Sequence, residues 1–327
     1  MDINQKLVVN ELIPDAKGVN LVQETLSDEL PDGYLRVKIL AAPINPADLN
    51  YVAGTYGDVP DLPAPIGMEG CGEVVLTSDA EHFPVGTKVF FTDRAGSWAE
   101  FLDTPTSSVL PLPRNIDPLQ AALLKVNPMT ALRLLKDFVD LQPGSWVIQN
   151  AANSSVGECV IQIAKQLGLH TVNVVRREGL EDSLTELGAD AVLLDNDELK
   201  SKVLKITGDP PALGLNAVGG DSALRMMDTL AQRGTMVTYG AMSRRSLKVP
   251  NSFLIFKQLR LEGFWVTKWI EAQSRESLTA EYNTLANWVA EGVLHSSIDT
   301  CYPLRDFRTA LDHAAQEKRS GKILFTP

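Results

Sequence analysis

The sequence predicts an α/β protein in which a doubly wound parallel sheet is inserted into a barrel-like domain. Three features support this prediction: short apolar runs broken by Gly and Pro up to about residue 110, regular alternation of strand and helix patterns from residue 145, and a final apolar run at 321–325. Short strands separated by turn residues are typical of antiparallel domains, whereas alternating strands and helices are typical of parallel sheets.

The N-terminal region carries runs such as YLRVKILAAPI and TKVFF, and Leu35–Leu40 alternates between apolar and polar residues. Alternation with a period of two indicates half-buried strands, so this region is predicted to be antiparallel and barrel-like. Around Ile116–Val139 the spacing of apolar residues becomes helical. This helical region leads directly to a strand that starts at Ser145.

From residue 145 onward, six strands alternate with helices, which matches a complete Rossmann sheet. The strand candidates are 145–151, 171–176, 191–195, 213–218, 234–239 and 259–265, and the helical runs between them are 158–167, 180–187, 197–207, 222–232 and about 251–258. Two amphipathic helices are predicted at 273–292 and 306–318, and Gly321–Phe325 is predicted to return as a strand to the first domain.

The segment Ser145–Gly157 joins an apolar strand to a helix through a turn of small residues. Backbone N–H groups at such a helix start, together with the helix dipole, form a site for an anion. Only Gly157 fills one of the three glycine positions of the dinucleotide fingerprint. An ordinary tight turn between strand and helix is the alternative interpretation.

Two arginines, Arg176 and Arg177, follow the second predicted strand. They stand about 20 residues after the turn, where the fingerprint places the group that contacts the ribose. An acid there binds the 2′-hydroxyl of NAD, whereas arginine suits the 2′-phosphate of NADP. We therefore expect NADP(H), although Glu178 follows the pair and a solvated basic pair at a strand end remains the alternative.

Length and charge narrow the functional classes. A chain of 327 residues suggests two domains, and a net charge of −11 with a pI near 4.9 argues against binding to nucleic acid or to an anionic membrane surface. Three well-separated cysteines show no metal-ligand spacing, and no apolar run reaches the length of a membrane span. The N-terminus has no signal-peptide pattern, so a cytoplasmic location is expected, although a mature organellar form would look the same.

Motifs spread over the whole chain resemble one family. They are INPADLN (44–50), GTYG (54–57), LPAPIGMEGCGEVV (62–75), VNPMTA (126–131), QNAANSSVG (149–157), NAVGG (216–220), GTMVTYGAMS (234–243), LEGFWVTKW (261–269) and GKILF (321–325). The chain resembles the zinc-free medium-chain dehydrogenase/reductases, and within them the 2-enoyl thioester reductases of the mitochondrial type. The resemblance implies a GroES-like catalytic domain at 1–126 and 267–327, interrupted by an NADP(H)-binding Rossmann domain at 127–266.

The resemblance also implies that no metal is bound. Zinc-bearing relatives have a Cys just before the INPAD-like segment and a His before the glutamate of the GMEG segment. Those places hold Pro43 or Ile44 and Met68 here, and none of these side chains is a zinc ligand.

The reaction that the resemblance implies is reduction of a trans-2-enoyl thioester by NADPH. In this family a tyrosine in a GxYG setting donates the proton, and Tyr56 is the matching residue. A tyrosine hydroxyl can donate a hydrogen bond and a proton. The alternative is that Tyr56 is a loop aromatic that covers a hydrophobic edge, and Tyr51 is a second tyrosine nearby.

Several residues match the cofactor-binding segments of the family. Asn127 is expected at the nicotinamide ribose, and Arg176 with Arg177 at the 2′-phosphate. The pyrophosphate is expected at Asn153, Ser154, Ser155, Val156 and Gly157. The carboxamide and the cleft are expected at Tyr239, Gly240, Ala241, Met242, Phe264, Trp265 and Val266, with Lys322 reaching the cofactor from the last strand. Phe264 and Trp265 as core aromatics, and Lys322 as a solvated charge, are the alternatives.

The expected partners are an enoyl-CoA or an enoyl-acyl-carrier protein, and a second copy of the chain in a homodimer. An NADPH-dependent quinone or enone reductase of the same fold is one alternative function. A non-catalytic NADPH-binding protein is another. Quinone reductases of this fold typically lack the tyrosine of the GxYG motif, so Tyr56 favours the thioester reductase.

Overall fold

The structure, a computed structural model, describes residues 3–316 and 319–327. Its strands are β1 (Ile3–Val9), β2 (Val19–Thr25), β3 (Tyr34–Pro43), β4 (Ala64–Pro65), β5 (Cys71–Thr77), β6 (Lys88–Phe91), β7 (Phe101–Pro105), β8 (Val109–Pro111), β9 (Trp146–Asn150), β10 (His170–Val175), β11 (Ala191–Leu194), β12 (Leu213–Asn216), β13 (Thr235–Thr238), β14 (Arg260–Gly263), β15 (Ile298–Tyr302) and β16 (Lys322–Phe325). Its α-helices are α1 (Pro46–Val52), α2 (Pro118–Ala121), α3 (Asn127–Lys136), α4 (Ser155–Gln166), α5 (Glu181–Leu187), α6 (Leu199–Thr207), α7 (Gly220–Thr229), α8 (Asn251–Ile255), α9 (Val266–Glu271), α10 (Arg275–Ala290) and α11 (Phe307–Ala315).

The described residues form two compact units. The first contains those up to Val126 and those from Gln273 onward, and the second runs from Asn127 to Ala272. The predicted end of the Rossmann domain at residue 266 therefore lies inside the second unit. The reason is that α9, which the sequence pattern did not predict, packs within that unit: Arg133 of α3 lies over the ring of Trp269, 5.0 Å from its centre.

The first unit is built on antiparallel strands. Three strands pair in the order β2-β1-β4, and a seven-stranded sheet has the order β15-β16-β3-β5-β6-β8, with β7 against β3. The last strand, β16, pairs antiparallel with β3, so that Leu324 lies opposite Pro43, and parallel with β15. The expected return of the C-terminal run to the first domain is thus confirmed.

Two aromatic side chains pack against each other in the core of the first unit. Trp98 and Phe325 are fully buried, their ring centres lie 5.2 Å apart, and the Trp98 ring N–H donates to the carbonyl of Pro43 over 3.0 Å. A buried indole N–H needs such a partner, because an unpaired polar group in a core is costly. This packing attaches the C-terminal strand to the start of the segment that carries the INPAD motif.

The second unit is a six-stranded sheet in the order β11-β10-β9-β12-β13-β14, with every pair parallel. This is the doubly wound order of a complete Rossmann sheet, in which the chain reverses direction across the sheet between β9 and β12. The predicted α/β class and the doubly wound sheet are confirmed. Ligands bind such sheets beyond the carboxyl ends of the strands at this reversal.

Some helix limits differ from the prediction. The helical region at 116–139 is two helices, α2 and α3, separated by residues 122–126, which include the buried Lys125. Helix α11 ends at Ala315, and positions 317 and 318 of the predicted helix 306–318 lie outside the described residues. Across the ranges 3–316 and 319–327, every helix is too short or too polar to cross a membrane.

Candidate active site

Tyr56 lies on a loop that follows helix α1 in the first unit. The backbone N–H groups of Thr55 and Tyr56 both donate to the carbonyl oxygen of Asn50, over 2.9 and 3.2 Å. Gly54 has a φ of +69°, a left-handed conformation that glycine adopts without strain. These features hold the Gly54–Gly57 turn against the end of α1.

The Tyr56 ring is half-buried beside a cation. The guanidinium carbon of Arg94 lies 5.8 Å from the centre of the Tyr56 ring and 4.4 Å from that of Tyr51, which is buried. Arg94 also pairs with Asp58 at 3.0 Å. Arg94 therefore links the loop before β7 to both tyrosines and to the segment that follows the GTYG turn.

Beneath this loop, a buried polar cluster holds the first turn of α1. Asp48 accepts hydrogen bonds from the backbone N–H groups of Asn45 and Met68, over 2.8 and 3.0 Å. The Asn45 side-chain amide donates to one oxygen of Glu69 over 2.8 Å. The other Glu69 oxygen accepts from the backbone N–H of Val126, also over 2.8 Å.

Two lysines complete this cluster. Lys125 donates to the carbonyl of Met68 over 2.8 Å, and Lys322 donates to the side-chain oxygen of Asn45. Burial raises the pKa of Asp48 to about 7 and lowers that of Lys125 to about 8. Burial also raises the pKa of Glu69, and the positive charge of Lys322 opposes that rise. Lys322 is therefore buried in a network of the first unit, not solvated at a strand edge.

In the second unit, the turn after β9 leads into α4. This helix begins at Ser155, three residues before the predicted start at 158. Ser154 caps the helix by accepting from the backbone N–H of Gly157 over 3.2 Å, which explains the earlier start. The N–H groups of Ser155 and Val156 have no intrahelical acceptor, because they belong to the first turn. A side chain at position 157 would place its Cβ 2.4 Å from the carbonyl oxygen of Ala152, so glycine is required there.

Parallel strands bring most of the predicted residues of the second unit to one edge of the sheet. Asn153 is exposed in the turn after β9, and Arg176 and Arg177 are exposed immediately after β10. After β13, the N–H of Tyr239 donates to the carbonyl of Asn216 over 3.0 Å. The predicted residues after β13 and β14 are half-buried Gly240, exposed Ala241 and Met242, half-buried Phe264 and Trp265, and buried Val266.

Among the described residues of the second unit, the buried side-chain polar atoms without a hydrogen-bond partner include the nitrogen of Asn127 and the hydroxyl of Tyr239. Burial raises the pKa of Tyr239, and the neighbouring Ser154 side chain opposes that rise. Buried polar atoms are nearly always paired in native proteins, so unpaired ones indicate an additional ligand. These atoms fit a polar cofactor such as a dinucleotide.

Sequence reasoning missed a buried amide network in the second unit. The Asn150 side chain donates to Asn216 over 2.9 Å and to Ser222 over 3.1 Å, and Asn216 donates to Thr238 over 3.1 Å. The side-chain oxygen of Asn216 also accepts from the N–H of Gly219 over 3.0 Å. Asn150 and Asn216 are polar residues at the carboxyl ends of largely apolar strands, and this was the sequence signal for the network. Their side chains accept hydrogen bonds from backbone N–H groups of the loop after β12 and so fix that loop.

Within the described ranges, no group of three or more His, Cys, Asp or Glu side chains is arranged to hold a metal ion. Tyr56 and Lys322 belong to the first unit, and all the other predicted site residues belong to the second.

Comparison with known families and proteins gives consistent matches. The family model described as alcohol dehydrogenase GroES-like domain matches residues 31–114, and the model described as zinc-binding dehydrogenase matches residues 155–289. The human protein named "Enoyl-[acyl-carrier-protein] reductase, mitochondrial" is 40% identical over 300 residues, which are 89% of this chain and 80% of the human one.

Two solved structures match over the full length of both chains. The Etr1p/NADP/crotonyl-CoA complex has a TM-score of 0.90 and 28% sequence identity. The mitochondrial 2-enoyl thioester reductase Etr1p/Etr2p heterodimer from Candida tropicalis has a TM-score of 0.89 and 29% identity.

Proposed function

Because this chain belongs to the mitochondrial enoyl-[acyl-carrier-protein] reductases, within the medium-chain dehydrogenase/reductases, we propose that it reduces the trans-2 double bond of enoyl thioesters with NADPH. The observation that carries this proposal is the match over its whole length to a protein solved with NADP and crotonyl-CoA. The substrate class is thus a thioester of coenzyme A or of an acyl-carrier protein.

The cofactor would be held by the second unit. The N–H groups of Ser155 and Val156 at the start of α4 would bind the pyrophosphate, and Arg176 with Arg177 would bind the 2′-phosphate. The unpaired amide of Asn127 would donate to the nicotinamide ribose. When bound, NADPH supplies a hydride to Cβ of the double bond.

The remaining steps require a proton donor. Addition at Cβ moves negative charge toward the thioester oxygen, and a proton must then be delivered at Cα. Tyr56 would deliver it, because a tyrosine hydroxyl is a hydrogen-bond and proton donor and the backbone of Tyr56 is held by the carbonyl of Asn50. The carbon–carbon double bond becomes single, NADPH is oxidised, and the Tyr56 hydroxyl recovers its proton from solvent.

We also propose a homodimer that forms through the edge of the Rossmann sheet. Strand β14 is the edge strand of the six-stranded sheet, and its residues Arg260–Gly263 are mostly exposed. Beside it in sequence, Leu254, Ile255 and Phe256 are 45%, 63% and 76% exposed. An open strand edge with adjacent apolar side chains favours pairing with a second copy, and the Candida tropicalis reductase is an Etr1p/Etr2p heterodimer.

The compartment remains a prediction. A cytoplasmic location was the expectation, whereas the relatives carry "mitochondrial" in their names. An organellar location is the alternative that those names support.

The experiment that tests the function is NADPH oxidation with trans-2-hexenoyl-CoA, run beside a small quinone and a free enone. We expect rapid turnover of the thioester, formation of the saturated acyl-CoA and slow reaction with the quinone. Turnover of only the quinone or the enone would support a quinone or enone reductase instead. Binding of NADPH without any turnover would support the non-catalytic alternative.

A further inference from the structure

The buried cluster around Glu69 connects the two chain segments on which the proposed chemistry depends. One segment is the first turn of α1, which leads to the Tyr56 loop, and the other is Lys125–Val126, which is followed directly by Asn127. The side chain of Glu69 is completely buried and contacts both segments, one with each carboxylate oxygen.

Each contact fixes a specific atom. On one side, Glu69 accepts from the side chain of Asn45, the residue immediately before α1, over 2.8 Å. On the other side it accepts from the backbone N–H of Val126 over 2.8 Å. A carboxylate that accepts hydrogen bonds in a buried site holds its donors more strongly than a neutral acceptor does.

Neighbouring groups reinforce both contacts. Asp48 links the N–H groups of Asn45 and Met68, and Lys125 donates to the carbonyl of Met68. The hydroxyl of Tyr282 donates to the carbonyl of Lys125 over 3.0 Å. The segment before Asn127 is therefore held at a backbone N–H, a carbonyl and a side chain.

Stability alone does not explain this cluster. Asp48, Glu69, Lys125 and Lys322 are all buried, and a buried ion pair contributes little net stability compared with apolar residues of similar volume. Breaking such a network by removing one charge is nevertheless costly. A role in fixing geometry accounts for both properties.

We propose that Glu69 is a positioning residue that fixes the Tyr56 loop through Asn45 and fixes the chain segment before Asn127 through Val126, with Lys322 holding the same Asn45 side chain. This inference rests on the proposed roles of Tyr56 as proton donor and Asn127 as ribose ligand. It assigns to Lys322 a role inside the first unit. Val126 is bonded directly to Asn127, whose buried side-chain nitrogen has no partner among the described residues.

The test compares Glu69→Gln with Asp103→Asn. Glutamine offers one acceptor oxygen, so either Asn45 or Val126 loses its partner, whereas Asp103→Asn weakens the Arg36–Asp103 pair, at 2.7 Å in the same unit. Amide hydrogen exchange of a peptide covering residues 124–130, NADPH affinity, kcat and KM are measured for both variants. Melting temperatures show how much each variant is destabilised.

In Glu69→Gln we expect faster exchange around Val126, weaker NADPH binding and a loss of kcat on the order of 100-fold, the effect of a displacement of about 1 Å at a reacting group. Asp103→Asn should lose stability while it retains these three properties. Equal exchange and equal kcat in the two variants would overturn the proposal. If Glu69→Gln does not fold, Asn45→Ser tests one branch: kcat should fall while NADPH affinity is retained, and unchanged kcat would overturn the proposal.

The two proposals fail in different ways. A wild-type protein that reduces no enoyl thioester would refute the proposed function. Exchange around Val126 and NADPH affinity would still decide whether Glu69 anchors this segment.

Discussion

Arg94 stacks over Tyr56, with its guanidinium carbon 5.8 Å from the ring centre, and the same guanidinium lies 4.4 Å from the ring centre of Tyr51. It is also bonded to Asp58, which follows the GTYG turn. One side chain therefore contacts the proposed proton donor, the helix before it and the segment after it. Arg94 restricts the positions that the Tyr56 loop can adopt.

Replacement of Arg94 by glutamine should lower kcat for the enoyl thioester by about two- to fivefold, because a cation–π contact at a partly exposed site contributes about 0.5–1 kcal/mol. Steady-state kinetics with saturating NADPH measure this change. Arg114→Gln, at an exposed arginine of the same unit, is the control and should leave kcat unchanged. Equal kcat in the two variants would show that the stacking does not constrain Tyr56.

Cofactor preference should depend on the basic pair after β10. In the double variant Arg176→Ser, Arg177→Ser, the KM for NADPH should rise about tenfold to a hundredfold, because hydrogen bonds to a charged group contribute about 1.5–3 kcal/mol. The KM for NADH should stay the same. Lys205→Ser, at an exposed lysine of the same unit, is the control. A parallel rise for both cofactors would contradict recognition of the 2′-phosphate.

If the protein is a dimer through the β14 edge, a charge placed on the apolar surface beside β14 should reduce its mass in solution to that of a monomer. Phe256→Glu places a charge on the apolar surface next to β14 and should yield a monomer in size-exclusion chromatography with light scattering. Ile206→Glu is the matched control, because Ile206 is also exposed, at 41%, but lies on α6. A Phe256→Glu protein that remains dimeric would place the interface elsewhere.

Stability should fall as pH rises through the acidic range because of Asp48. Burial raises the pKa of Asp48 from 3.8 to about 7, so between these values the folded protein keeps a proton that the unfolded chain has released. The folded state then binds more protons, and the free energy of unfolding decreases with pH across this window. Glu69, whose pKa burial also raises, acts in the same direction.

Asp48→Asn cannot ionise, so its free energy of unfolding should depend less steeply on pH over this window than that of the wild type. Urea unfolding from pH ~4 to ~7 measures the slope. The variant should also be less stable overall at the acidic end, because an amide has one acceptor oxygen for two backbone donors. Identical slopes in Asp48→Asn and the wild type would contradict the assignment, and Asp312→Asn, at an exposed acid, is the control.

Local patterns were sufficient to predict the Rossmann sheet. Strands β9 to β13 are short, largely apolar runs, and each is followed by a turn and a helical period, so the alternation of strands and helices could be inferred from sequence. The helix α9 was not predicted, because its apolar residues continue the GFW segment without a capping residue: no side chain caps its N-terminus, Trp265. Helix α4 begins earlier than predicted because the side chain of Ser154, which the sequence pattern assigned to the turn, caps its N-terminus.

The Glu69 cluster could not be predicted, because it depends on distant parts of the chain. Lys322 and Asn45 are 277 residues apart, and Glu69 and Val126 are 57 apart. Only the pairing of β16 with β3 brings Lys322 near Asn45. A buried glutamate between glycines in an apolar segment was a visible signal, but nothing in the local sequence indicated its partners.

The assignment of Tyr56 as proton donor is the central claim, and the comparison of Tyr56→Phe with Tyr51→Phe tests it most directly. Each change removes the hydroxyl of one of the two tyrosine rings that Arg94 contacts. Loss of a general acid typically costs about 100- to 10,000-fold in rate. We predict that Tyr56→Phe loses this much kcat with trans-2-hexenoyl-CoA, that its dissociation constant for NADPH is unchanged, and that Tyr51→Phe retains wild-type kcat. Wild-type turnover in Tyr56→Phe would contradict the account.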